Sequence, residues 1–390
     1  GVLDKTRGKA DFMLNLSASP YHTEKWKQRF SMLKKKAVYY RANLLYCNLV
    51  GGQDELVFDG HSLVIDKKGR MKAQAWQFAE YDLVIDMNAK REASSKAEKS
   101  VVIPAYKPIP KDEEIYEALK LGVRDYVVKN GFKKVLVALS GGVDSALVTA
   151  IACDALGRDN VTVIFMPSKF SSKESLRDAE KLSENLGLKL KIIPIQKIAD
   201  LYLDVLEPEF RGMPQDITEE NLQARIRGNL IMAMSNKFNW LVLTTGNKSE
   251  MSTGYATLYG DMAGGFAVIK DVPKTVVYRL CGMRNKKAGF DLIPENIIRK
   301  APTAELRHNQ KDQDTLPPYS LLDEIIEDYI ENDLTMSELK GRYPLETLRK
   351  VIRMIDLSEY KRRQAPPGVK ITPKSFGRDR RMPITNKYRE

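Results

Sequence analysis

Cysteine is scarce in this chain: three in 390 residues, Cys47, Cys153 and Cys281, far apart. An odd and scattered set supplies neither a disulfide framework nor a metal-ligand spacing, and it suits a reducing cytosol. The three histidines, His22, His61 and His308, are too dispersed to build a zinc motif. No apolar run approaches the ~18 residues that span a bilayer, and the first residues lack the apolar core of a signal peptide. No GxxxxGK[ST] string occurs, so a Walker-type phosphate loop is excluded. The expectation is a soluble cytoplasmic protein with no membrane partner.

What is present is a chain with 43% apolar and 29% charged residues, enough apolar material for packed cores. At roughly 150 residues per domain the length predicts two to three domains. The formal charge of +12 favours anionic partners. It is uneven, because residues 361–390 carry ten basic side chains against two acidic ones.

Residues 1–88 alternate short apolar runs (Phe12–Leu16, Leu44–Val50, Ser62–Asp66, Leu83–Asp86) with one helical stretch near Glu24–Arg41. Turns are expected at Gly51-Gly52 and at Lys67-Lys68-Gly69-Arg70. Residues 89–112 are polar and then proline-rich, which predicts a linker. From 113 onward, strands at 134–139, 161–166, 190–195 and 240–245 alternate with helical periods. That pattern predicts βαβ units, a doubly wound parallel sheet, and a site after Leu139, Met166 and Thr245. Two helices near 320–332 and 345–358 precede the basic tail, whose Pro366-Pro367-Gly368 rules out a continuous helix.

The sharpest motif is Ser140-Gly141-Gly142-Val143-Asp144-Ser145, directly after an apolar strand and directly before a helix. Two glycines let the backbone approach a phosphate closely, and the helix N-terminus adds its dipole. The loop resembles the SGGxDS loop of the ATP pyrophosphatase superfamily. A second strand end, Thr244-Thr245-Gly246-Asn247-Lys248-Ser249-Glu250, brings hydroxyls and a carboxylate to the same sheet edge. Glu250 there is placed to share a metal with Asp144.

Further stretches, NLQARIRGN (221–229), GYATLYGDMAGGFAVIKDVPKT (254–275), KAPTAELR (300–307), QKDQDTLPPY (310–319) and EYKRRQAPPG (359–368), resemble the NAD synthetases, particularly the long glutamine-dependent kind. The resemblance covers nearly all of 113–390. It implies a Rossmann-like ATP pyrophosphatase fold and amidation of deamido-NAD through a NAD-adenylate, with ATP as co-substrate and Mg²⁺ as cofactor. Carried over by position, it implies that Ser140, Gly141, Gly142, Val143, Asp144, Ser145, Thr245, Lys274 and Thr303 contact ATP. Asp144 and Glu250 would hold the metal, and Asn221, Arg225, Glu250, Tyr360 and Lys361 would contact deamido-NAD. Two dinucleotide contacts of the ammonia-dependent branch fall here at Leu258 and Gly265, so another residue has to replace them. The resemblance also implies synthetase domains paired in a homo-oligomer, and a basic segment from Lys361 that closes over the nucleotides.

Residues 1–88 resemble the C-terminal part of the α-β-β-α nitrilase-like glutaminase domain of the same enzymes, through NLSASPY (15–21) and GGQDELVFDG (51–60). The family's Glu, Lys and nucleophilic Cys belong upstream of 15–21 and are absent from this chain. Ser19 and Lys25 match glutamine-contacting positions. Cys47 lies in an apolar strand pattern, where cysteine is expected as a small buried hydrophobe and not as a nucleophile. The expected nitrogen donor is therefore ammonia, supplied from glutamine in the full-length family. The competing readings are another enzyme of the superfamily acting on tRNA or a nucleotide, and a degenerate nucleotide-binding protein. The cysteines stand alone, without the reactive pair of the tRNA-thiolating enzymes, and no nucleic-acid partner is expected.

Overall fold

The computed structural model describes residues 4–5, 7–85 and 109–385. The first unit is a four-stranded sheet ordered β1-β2-β5-β6, from β1 (Phe12–Ser17), β2 (Asn43–Asn48), β5 (Leu63–Ile65) and β6 (Met71–Gln74). Helix α1 (Lys25–Tyr40) covers one face, packing Leu33 and Ala37 on Leu44, Tyr46, Leu63 and Ile65. Side chains alternate across a strand, so the residues paired as Leu14↔Leu45 and Leu16↔Cys47 turn to the other face. Leu14 and Leu16 are 72% and 85% exposed there, and Cys47 is exposed with them. The expectation of a buried Cys47 is therefore wrong: the alternation that buries Tyr46 and Asn48 turns its sulfur outward.

The expected turn at Gly51-Gly52 is also displaced. Both glycines lie inside β3 (Val50–Gln53), and the hairpin to β4 (Leu56–Asp59) turns at Asp54-Glu55, with Asp54 left-handed at φ 53°. They are glycines because β3 lies against α2 (Lys111–Lys129). A Cβ on Gly52 would stand 3.1 Å from the Asp125 Cβ and 3.4 Å from the Gly122 Cα. The Lys67–Arg70 turn forms as expected, with the Asp66 carboxylate accepting the Lys68 and Arg70 amides. Residues 83–85 of the run Leu83–Asp86 form no strand, and Asp86 lies outside the described residues. So does the expected linker up to residue 108; its last two residues begin α2.

The second unit is a five-stranded sheet ordered β11-β10-β7-β8-β9, parallel at every pairing. Its strands are β7 (Val135–Ala138), β8 (Val161–Phe165), β9 (Leu190–Ile192), β10 (Leu241–Thr244) and β11 (Phe266–Ala267). Val135 and Val137 face the core built by α2, α3 (Val143–Leu156) and α8 (Lys274–Ala288), while Leu136 faces the opposite layer with Ile226 and Ile231. That layer holds α5 (Gln196–Phe210) and α6 (Ile217–Phe238); α4 (Lys173–Leu186) crosses between β8 and β9. Burial on both faces explains the unbroken apolar runs. Strand order reverses between β7 and β10, which opens a crevice at their carboxyl ends.

A separate helical cluster, α10 (Tyr319–Ile326) with its π-helical extension Glu327–Glu331, α11 (Met336–Leu339) and α12 (Leu345–Leu357), packs over α7 (Lys248–Thr253). After α13 (Glu359–Arg362) the chain leaves helical structure, as the prolines require. Among the described residues, none after Arg362 lines the crevice. The Pro367 carbonyl accepts from the Ala267 amide, Lys370 N–H bonds Glu55, and the Ile371 carbonyl accepts from Thr23, so residues 367–372 lace the two units together. Val369 and Ile371 share one core with Tyr21, Val57 and the α2–α3 layer. Much of the tail's positive charge is paired locally: Lys370 with Asp379, Lys374 and Arg380 with Asp333, and Arg362 and Arg363 with Glu359.

Candidate active site

The loop Ser140–Gly142 joins β7 to α3. Gly141 has φ +79°, and a Cβ there would lie 2.3 Å from the Ser175 carbonyl oxygen, so only glycine seats the loop against α4. Ser145 Oγ accepts from the Ser140 amide and donates to the Gly142 carbonyl, which pins the turn. The first N–H groups of α3 have no acceptor within the helix, and Asp144 stands among them.

Asn247 organises the neighbouring strand end. Its side chain caps α7 by accepting from the Glu250 amide, Glu250 reciprocates on the Asn247 amide, and the Asn247 Nδ2 donates to Asp144 Oδ1 at 2.9 Å. One buried asparagine thus sets Asp144 and Glu250 side by side. Lys274, at the first position of α8, completes the group: its Nζ lies 2.5 Å from Asp144 Oδ2 and 3.3 Å from Glu250 Oε1. It also sits over the ring of Tyr319, whose hydroxyl, like that of Tyr255, donates to Asp312. Burial alone would lower the Lys274 pKa, but Asp144 and Glu250 outweigh it and raise it, so the ammonium stays charged. Burial, opposed by Lys274 and reinforced by Asp144, raises Glu250 above the ordinary carboxylate range.

Two carboxylates converging on one ammonium form a place built to stabilise positive charge, with hard oxygen donors of the kind magnesium takes. Among the described residues no cluster of three or more acidic, histidine or cysteine side chains is arranged to hold a metal. Asp144 and Glu250 therefore fit an ion that completes its shell with phosphate oxygens and water.

The crevice has two parts. The apolar part is lined by Ile164, Phe165, Met166, Ile231 and Val242, with Thr245 and Thr303 at its edge. The polar part holds Gly142, Asp144, Lys274, Lys300, Thr303 and Asp312. All the expected ATP-contacting positions thus belong to, or directly brace, one crevice. The expected dinucleotide contacts other than Glu250 sit farther out. Asn221 Oδ1 accepts from Thr257, Arg225 donates to the Leu258 carbonyl, and Lys361 donates to the Gly254 and Ala256 carbonyls. They gather on one segment, residues 254–261, of which Thr257, Gly260 and Asp261 line the crevice. Tyr360 is exposed beside them. A Cβ on Gly265 would stand 2.3 Å from a terminal methyl of the buried Leu241, which would have to shift to admit it. In the first unit, Ser19 N–H donates to Asn48 Oδ1 and Lys25 Nζ to the Pro20 carbonyl, above a buried Asn48–Asp59–Arg29 chain.

Four residues of the site carried no individual assignment from sequence, although all lie in the quoted stretches. Arg227 donates to the Met166 carbonyl in the apolar part, and burial lowers its pKa to about 10 against the pull of Glu305. Asp312 and Lys300 line the polar part. Lys248, 1% exposed, pairs with Asp271 and Glu331 and donates to Thr372, anchoring the helix of Glu250 to the laced tail.

Residues 115–365 match the model of the NAD synthase family. A glutamine-dependent NAD(+) synthetase of Thermotoga maritima is 51% identical over 403 residues, an alignment covering 96% of this chain and 70% of that protein. The chain belongs to the NAD synthase family. Among solved structures, the glutamine-dependent NAD+ synthetase from Acinetobacter baumannii in complex with ADP superposes with a TM-score of 0.70 at 41% identity. It covers 99% of this chain and 70% of that one. The NH3-dependent NAD synthetase from Campylobacter jejuni, at 29% identity and a TM-score of 0.52, covers 63% of this chain and 94% of that one. The NAD synthase family match falls on the unit that carries the crevice. Among the described residues no helix is long and apolar enough to cross a membrane.

Proposed function

We propose that this chain converts deamido-NAD to NAD, using ATP to activate the nicotinate carboxylate and ammonia as the nitrogen donor. The observation that carries the reading is the convergence of the Ser140–Ser145 loop, Asp144, Glu250 and Lys274 at the reversal point of a parallel sheet, beside an apolar pocket. In the first step a carboxylate oxygen of deamido-NAD bonds to the α-phosphorus of ATP and the bond to the bridging oxygen breaks, releasing pyrophosphate. In the second, ammonia attacks the activated acyl carbon and AMP leaves.

The protein's share is positioning and charge. The loop amides and the α3 N-terminus hold phosphate oxygens, Lys274 neutralises them, and Thr245 and Thr303 orient the nucleotide. The segment 254–261, braced by Asn221, Arg225 and Lys361 with Tyr360 alongside, presents deamido-NAD to Glu250's end of the crevice. Asp144 and Glu250 would hold Mg²⁺, which neutralises phosphate charge when bound. Ser19 and Lys25 belong to a glutamine pocket in this reading. Cys47 faces away from the Asn48 side of β2 that carries Ser19 and so takes no part in that pocket. Three free thiols fit a cytoplasmic location. Pairing through the synthetase units, as the family resemblance implies, belongs to the same proposal.

The test is NAD formation from deamido-NAD, ATP and Mg²⁺ with ammonium chloride or glutamine as sole donor. The expected result is NAD, AMP and pyrophosphate in equal amounts with ammonium. Absence of deamido-NAD-dependent AMP release sinks the reading, and robust glutamine-driven synthesis overturns the choice of donor.

A further inference from the structure

Lys300 has no part in the mechanism above. It ends the short helix α9 (Glu295–Arg299), and its Nζ lies 3.0 Å from both Ser175 Oγ and Asp178 Oδ2. Ser175 is the residue whose carbonyl receives the Gly141 turn, so the ammonium stands next to the phosphate loop. Lys274 and Lys300 are the two lysines among the described residues lining the polar part of the crevice. Lys274 is already committed to Asp144 and Glu250, with Asp312 on the same lining, so one ammonium faces three acidic side chains. Lys300 is differently placed. Its one carboxylate partner also receives the Asn296 Nδ2 on both oxygens at 2.9 Å, so Asp178 keeps a donor when the lysine lets go. A flexible four-carbon stem carries the charge.

We propose that Lys300 is a catalytic residue of the first step, taking up the charge of the departing pyrophosphate. This rests on the adenylation reading. As the bond between the α-phosphorus and the bridging oxygen breaks, the electron pair leaves with pyrophosphate. The Lys300 ammonium exchanges Asp178 for that oxygen cluster while Lys274 stays with the loop. The competing explanation is structural: Lys300 merely ties residues 300–311 to α4.

The experiment compares Lys300→Met, Lys300→Arg and Asp178→Asn in deamido-NAD-dependent ATP–pyrophosphate exchange and in product inhibition by pyrophosphate. For Lys300→Met the exchange rate is expected to fall about 100-fold and the pyrophosphate inhibition constant to rise about tenfold, as for loss of one charge-stabilising donor. The KM for deamido-NAD stays within about twofold, because the lysine acts on the leaving group. Lys300→Arg is expected to recover part of the exchange. Asp178→Asn, which frees the ammonium, is expected to keep exchange and to tighten pyrophosphate binding. An unchanged inhibition constant in Lys300→Met, or weakened pyrophosphate binding in Asp178→Asn, overturns the proposal. Wild-type NAD synthesis from ammonium in the same assays separates these failures from failure of the adenylation reading.

Discussion

Asp144 gathers three favourable neighbours: the Asn247 amide, the Lys274 ammonium and the N-terminus of α3, whose dipole favours an anion. Its carboxylate is therefore held in one orientation, aimed into the crevice. Replacing it with asparagine keeps the shape and removes the charge, leaving Lys274 with Glu250 alone. The expected outcome for Asp144→Asn is a loss of pyrophosphate exchange of about 100-fold or more, with an unaltered circular dichroism spectrum. An active, metal-dependent mutant removes Asp144 from the metal site. Cys47→Ser is expected to leave ammonium-driven NAD formation within about twofold, since the thiol is solvent-facing; a large loss would place the sulfur in catalysis. At this scale the loop was legible because it is one contiguous motif whose turn is pinned by its own residues, Ser140, Gly142 and Ser145. Lys248 and Lys300 were not, because theirs lie 83 and 125 residues away and only the fold brings them together.

Among elements, the parallel strands were the easiest to read. A run such as Val135–Ala138 is apolar throughout because both its faces are covered, one by α2, α3 and α8 and the other by α5 and α6. The same logic fails for β3. A Gly-Gly pair between apolar runs looks like a turn, and nothing local reveals that α2 passes close by at Gly122. Gly52→Ala is expected to cost about 1–3 kcal/mol through that contact, read as a lower urea midpoint with an unchanged slope. Helix α7 poses the opposite case, a six-residue element held from below by a buried cation. Burial alone would lower the Lys248 pKa, and Asp271 and Glu331 raise it instead. Lys248→Met removes the cation shared by Glu331 and Asp271 and is expected to cost about 3–5 kcal/mol, measured by the same unfolding curve.

Across the whole molecule, the two units share a core, so they are expected to unfold together. Trp26 and Trp76 report on the first unit and Trp240 on the second. Their fluorescence transitions in urea are expected to coincide; separated midpoints would show that the units melt independently. The joint also titrates. Glu114, at the start of α2, lies against Tyr21, and burial raises its pKa from 4.5 to about 7. Between those values the folded chain holds a proton that the unfolded chain has lost. Its stabilising contribution is therefore full below pH 4.5 and fades as pH rises through 7. Wild type is expected to lose stability relative to Glu114→Gln between pH 5 and 7.5, and parallel stability profiles for the two would contradict it.

The lacing segment, residues 367–372, bears on how the protein is made. Thr23 receives its partner Ile371 from 348 residues further along the chain. At about 5–20 residues per second a ribosome needs roughly 20–70 s to travel that distance. Until then Asp271 lacks the amides of Ile371 and Thr372, and the foothold of α7 lacks the Thr372 hydroxyl. The nascent chain carries an open seam between the two units until Ile371 and Thr372 have emerged.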